Sequence, residues 1–187
     1  PIKSFVHESE THIHIAEQTK EVVDISAWLG ARPVEWLLNN LAVDQRWCLI
    51  HATHMSEGET LGFAKSGAVA GLCPVTEANL GDGIFNGRDY LGASGAFGIG
   101  TDSNVRISLS QELSTLEYSQ RLRDKERNVL LNGPGSTGSN IYRLAATGGA
   151  QALARDSGEI AVGKLADLAA LDTDHPAMCA LKPDQLL

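Results

Sequence analysis

The chain alternates short apolar runs with longer stretches in which apolar residues recur at helical spacing, and this texture predicts a parallel α/β architecture. The runs His12 to Ala16, Trp47 to His51, Ala68 to Leu72 and Ala96 to Gly100 predict strands. Between them, Glu17 to Leu29, Pro33 to Leu41 and Ser56 to Lys65 predict helices, with Val22, Ile25, Trp28 and Leu29 on one apolar stripe. Pro33 suits a first helical turn, where its missing N–H costs nothing. Ser56 with Glu59 three residues on forms a capping box, and Gly67 stands where a left-handed C-cap would follow the same helix. Further on, Ser108 to Arg127 reads as a longer helix with Leu109, Leu113, Leu116 and Leu122 inward and the charges from Arg121 to Arg127 as a solvated end. A Gly-rich break from Asn132 to Gly138 separates it from an Ala-rich helix over Ile141 to Leu153. After Ser157-Gly158 the pattern shortens, and Glu159 to Leu171 predicts a turn between two short strands.

Composition narrows the function classes. With 43% hydrophobic and 20% charged residues the chain can bury a sizeable core. The net charge of −8 with scattered Lys and Arg argues against a phosphate backbone as partner, so nucleic acid is not expected. Three cysteines without a CxxC pair read as reduced thiols, which suggests a cytoplasmic protein. No apolar run is long enough for a membrane span, the first ten residues contain no signal-peptide core, and there is no initiator Met, so the true start is expected to lie upstream.

Each predicted strand ends in a polar group. His12 and His14 fall on one face of their strand, and Glu17 opens the loop three residues beyond His14. An imidazole at a strand end suits zinc, and a carboxylate beside it suits proton transfer. His51 closes the apolar run Trp47 to Ile50, and His54 follows three residues later; the residue directly after the strand is preferred, because in a barrel it sits on the catalytic face. Asp102 closes Ala96 to Thr101 in the same way, and the segment Cys73-Pro74-Val75-Thr76-Glu77 follows the third strand. Singly each group has an ordinary alternative: a core histidine, a helix N-terminal acid for Glu17, or a turn or cap for Asp102. Four such strand ends in one chain point to a shared site.

The segments His14-Ile15-Ala16-Glu17, His51-Ala52-Thr53-His54-Met55, Cys73 to Gly83 and Gly100-Thr101-Asp102-Ser103-Asn104 resemble the amidohydrolase superfamily. Within it, Glu77-Ala78-Asn79-Leu80-Gly81-Asp82-Gly83, Asp102 to Ser108 and Leu116 to Leu122 are similar to the formimidoylglutamate deiminase family; the wider deaminase group tends to have Ser-Asn where this chain has Thr76-Glu77. The resemblance spans Thr11 to Asp172. It implies the second half of a (β/α)8 TIM-like barrel, strands 5 to 8, over residues 1–155, and over 156–187 a return into the small β-sandwich that flanks such barrels. It further implies one zinc ion in a mononuclear site with His14 and Asp102 as ligands, and Glu17, His51 and Asp102 as catalytic groups. Asp102 would take a proton from water, Glu17 would pass one to the leaving nitrogen, and His51 would orient the water or polarise the attacked group. The implied reaction is hydrolytic deimination of N-formimidoyl-L-glutamate, a small anionic amidine of histidine catabolism, to N-formyl-L-glutamate and ammonia. The alternatives are a guanine-type deaminase, or a fragment without activity of its own. A homodimer is implied as well.

One departure is informative. The superfamily carries a His-x-His pair on its first strand. His12 and His14 do not supply that pair, because Glu17 follows at the fifth-strand spacing and only three site-bearing strands come after it. A (β/α)8 barrel takes about 250 residues. The remaining ligands and the arginines that would meet the substrate carboxylates are therefore expected outside this sequence, with Arg106 as a weak candidate within it, and equally an ion-pair partner near a helix start.

Overall fold

The computed structural model describes residues 9–181; the residues before and after these, which the sequence reading places in the barrel and in the return segment, lie outside the described residues. Four strands, β1 (Thr11–Ile15), β2 (Trp47–His51), β3 (Val69–Leu72) and β4 (Ala96–Ile99), form one sheet in sequence order, every neighbouring pair parallel. Each strand is followed by helix: α1 (Thr19–Leu29) and α2 (Pro33–Asn40) after β1, α3 (Glu57–Ser66) after β2, α4 (Pro74–Leu80) and α5 (Gly87–Gly92) after β3, α6 (Leu109–Asp124) and α7 (Thr137–Ala152) after β4. Parallel strands that stay adjacent in chain order, with helical crossovers, are the arrangement of part of a (β/α)8 barrel, and an open doubly wound sheet would reverse its strand order.

Alternation along the strands divides the sheet into two faces. Ile13, Ile15, Trp47, Leu49, Ala70, Leu72 and Phe97 face the helices, where Val34, Leu37, Phe63 and Tyr90 complete the principal core. His12, His14, Cys48, Ile50, Gly71 and Gly98 line the opposite, concave face. The N-terminal end of that concave face is closed by the end of α7. Gln151 Nε2 donates to the carbonyl oxygens of Gln45 (3.0 Å) and Gly67 (2.8 Å), and Ala152 packs on Cys48 and Val69. His12, on the same face, places Nε2 2.7 Å from the Ala152 carbonyl oxygen, so this imidazole satisfies the end of a helix. Helix α7 approaches β4 so closely that a methyl group on Gly148 would collide with the Phe97 carbonyl oxygen.

The capping box on α3 forms as expected: Ser56 Oγ accepts from Glu59 N at 3.2 Å and Ser56 N donates to Glu59 at 2.7 Å, with Gly67 left-handed at φ 79°. Four expectations need correction. Trp28 does not join the inward stripe of α1; it is 77% exposed, and among the α1 residues Val22 is the buried one. On α6, Leu113 and Leu116 are buried while Leu109 and Leu122 face outward, and the inward positions beside them are polar: Glu112, Glu117 and Gln120. The segment read as two short strands beyond Gly158 carries no strand among the described residues; Ile160, Val162 and Leu168 are exposed, and a strand forms only when an edge offers it partners. Finally, α4 and α5 were not expected from the pattern, since they are only seven and six residues long.

Candidate functional site

The parallel strands end on the same side, and their last residues leave by sharp turns. Ala16 (φ 52°), His51 (φ 66°), Ala52 (φ 47°) and Asp102 (φ 42°) are left-handed although none is glycine. Such residues cost about 1–3 kcal/mol each and gather where a backbone is bent to aim a side chain. Backbone bonds hold the turns: Ala52 N donates to Ile15 O and His54 N to Ala16 O, each at 3.0 Å. After β1, Glu21 accepts from the N–H groups of Ala16 (2.7 Å) and Glu17 (2.9 Å), so Glu21 serves the helix start and the Glu17 side chain is free of that duty.

The structure brings His14, His51 and Asp102 together: one ligand atom from each lies within 4.8 Å of the others. The two imidazole rings stand 5.3 Å apart, centre to centre. His51 is fully buried, and its Nε2 has no hydrogen-bond partner, whereas its Nδ1 lies 3.3 Å from Glu77 Oε1. Glu17 Oε1 stands 3.7 Å from His51 Nε2. All four predicted side chains therefore converge. An imidazole pair and a carboxylate around one point, with a buried nitrogen lacking any protein partner, fit a divalent cation of the zinc type. A cavity of about 290 Å³ runs from this point along the concave face between His14, Cys73 and Asp102 at one end and His12, Cys48 and Ala152 at the other.

Electrostatics give the groups distinct characters. Burial pushes the Glu17 carboxyl up; His51 opposes this, and Asp82 and Asp102 add to it. Burial alone would lower His51, but its bond to Glu77 and the charges of Glu17, Glu77 and Asp102 outweigh it and raise its affinity for a proton. Burial pushes the Cys73 thiol up to about 12, so it is no thiolate nucleophile despite its place beside the site.

Other sequence candidates fall elsewhere. His54 turns away from the cluster, its Nε2 2.6 Å from the Asp82 carbonyl oxygen, and so ties down the loop after α4. Arg106 is exposed in the loop before α6, with no ion pair among the described residues. Three residues to which the sequence reading gave no role are used by the site, two of them in the Cys73 to Glu77 segment marked there as a strand end. Thr76 Oγ1 bonds the Thr101 carbonyl (3.2 Å) and Ser103 Oγ (2.9 Å), fixing the loop that carries Asp102. Asp82 is buried, bonded by Gln18 at 3.1 Å, and has one oxygen without a partner. Glu77 is buried against His51. The available signal was a polar pair in the first turns of a helix started by Pro74, directly after a strand.

Helix α4, which supplies these residues, is itself held by Glu112 of α6, which accepts from Val75 N at 2.8 Å. No helix among the described residues is long and apolar enough to cross a membrane.

Comparison with known proteins agrees with this geometry. A formimidoylglutamate deiminase of Pseudomonas aeruginosa is 54% identical over 94% of this chain, and the match covers 39% of that protein. An amidohydrolase from Brucella melitensis, solved by crystallography, superposes with a TM-score of 0.88 at 54% identity, covering 94% of this chain and 39% of the other. An adenosine deaminase from Xanthomonas campestris, crystallised with bound zinc, superposes with a TM-score of 0.82 at 28% identity over 92% of this chain and 39% of its own. The chain thus spans about two-fifths of the length of these relatives. The family model described as "Amidohydrolase family" matches residues 4–185, and with it the chain belongs to the amidohydrolase family.

Proposed function

We propose that this chain forms the metal- and proton-handling part of a zinc-dependent hydrolase that deiminates N-formimidoyl-L-glutamate, giving N-formyl-L-glutamate and ammonia. The observation that carries the reading is the convergence of His14, Glu17, His51 and Asp102 from the ends of three strands, β1, β2 and β4. The 54% identity to a protein of that activity supports the choice of substrate.

His14 and Asp102 would hold a single zinc ion, which supplies Lewis-acid activation of water. The chain's own residues account for the proton movements. The Asp102 carboxylate takes a proton from the water whose oxygen bonds to the formimidoyl carbon. His51, with Nε2 turned toward both His14 and Glu17, orients that water and the attacked group. Glu17 delivers a proton to the amidine nitrogen as the C–N bond breaks and ammonia departs. Its raised proton affinity, caused first by burial, favours the protonated form that such a transfer needs.

Ammonia release by the intact natural protein, supplied with zinc and offered either N-formimidoyl-L-glutamate or guanine, tests the reading directly. Turnover of the amidine and not the purine is expected; the reverse preference would replace this substrate with a heterocycle. Glu17→Gln is expected to abolish turnover while metal analysis shows zinc retained. Near-normal turnover by that variant would remove Glu17 from its role.

A further inference from the structure

Glu77 occupies a position no barrel strand provides. It is carried by the first turn of α4, is 4% exposed, and has two partners for one oxygen: Oε1 lies 3.3 Å from His51 Nδ1 and 3.1 Å from Cys73 N. The bond from Cys73 N ties the carboxylate to the end of β3, so its place is set by backbone as well as by its own helix. The bond from Val75 N to Glu112 fixes the start of α4 from the far side. His51 is equally constrained in the chain, at φ 66° and fully buried, but its ring can still rotate about χ2 and can carry its proton on either nitrogen.

From this geometry we infer that Glu77 is a positioning residue, which holds the proton of His51 on Nδ1 and turns the Nε2 lone pair into the cluster of His14, Glu17 and Asp102. A neutral imidazole donates from one nitrogen and accepts at the other. A carboxylate has only acceptor oxygens, so it selects Nδ1–H. The atom left over, Nε2, is the buried nitrogen with no protein partner, facing Glu17 at 3.7 Å. Carboxylates behind imidazoles set tautomer and ring direction in this way, and their loss commonly costs about 10- to 100-fold in activity or metal affinity. The assignment deepens the proposed deiminase reading and rests on it for the catalytic consequence, though not for the tautomer.

Because both bonds fall on Oε1, a glutamine can reproduce them with its single carbonyl oxygen, and a leucine cannot. In the intact, zinc-loaded protein, Glu77→Leu should lower kcat about 10- to 100-fold with KM changed less than about threefold, and Glu77→Gln should restore most of it. Nitrogen NMR of the histidine-labelled protein supplies the readout a structural role would not move. His51 should be protonated at Nδ1 in the natural protein and in Glu77→Gln, and should lose that preference in Glu77→Leu. The assignment is overturned if His51 keeps Nδ1–H in a folded Glu77→Leu, or if Glu77→Gln is as inactive as Glu77→Leu with the tautomer intact. Absence of turnover in the natural protein, with the tautomer as expected, would instead count against the substrate.

Discussion

Several loops among the described residues are fixed by buried carboxylates, which take backbone N–H groups that a turn leaves without partners. Glu117 accepts from Val129 N and Leu130 N, both at 3.0 Å, as well as from Arg121. Glu59 accepts from Ser56 N, Glu35 N and Arg32 Nε, joining α2 to α3. Burial alone would raise the Glu59 carboxyl; the Arg32 guanidinium and the N–H groups of Ser56 and Glu35 outweigh it and hold it below its ordinary 4.5. A depressed folded-state value means that the stabilisation is present above the unfolded value and is lost as pH falls through the folded one. Glu59→Ala should therefore lower stability by about 1–3 kcal/mol at about pH 7, by leaving buried donors unpaired, and the gap should narrow in acid below about pH 4. Thermal melts of both proteins across that range check it; a gap independent of pH would show that the carboxylate charge contributes nothing. At this scale the sequence was readable for His14, Glu17, His51 and Asp102, because a polar residue ending an apolar run announces itself. The segment ending in Glu77 was marked as a strand end, but the part played by Glu77, and that of Asp82, was not readable, because His51 and Gln18 lie in other units and the spacing fits any helix start or turn.

At the level of elements, β1 and β2 and helices α2 and α3 lie within a residue or so of their expected bounds, since β2, buried on both faces, is a bounded apolar run, β1 alternates polar and apolar residues, and α3 advertises both its caps. Helices α4 and α5 escaped because two turns of helix are too short to display a period. Their cues were Pro74 at the start and a left-handed Gly81 (φ 74°) at the end of α4. Trp28 misled because an apolar stripe predicts burial only when another element covers it. The contact of α7 with β4 leaves no room for a side chain at Gly148. Gly148→Ala should destabilise the protein by about 1–3 kcal/mol or more through overpacking, despite alanine's better helix propensity. Denaturant unfolding of the variant measures this, and a stabilised variant would show that the two elements separate freely.

Across the whole molecule, the site is assembled by four units that are far apart in sequence, so anything bound among their ends links them. A cation that binds the folded arrangement and not the unfolded chain adds about 2.7 kcal/mol at a concentration 100 times its Kd. Chelation is accordingly expected to lower the Tm of the intact protein, with zinc restoring it; a Tm unaffected by chelator would argue that His14 and Asp102 hold no ion. The half-barrel layout itself was legible, because consecutive strand–helix units admit few other topologies.

Helix α7 gives the cavity a direction. With Gln151, Ala152 and the His12 imidazole sealing the end near the strand starts, this part of the concave face has a floor. A molecule lying against these strands therefore meets the end of a helix on one side and the cluster of His14 and Asp102 on the other.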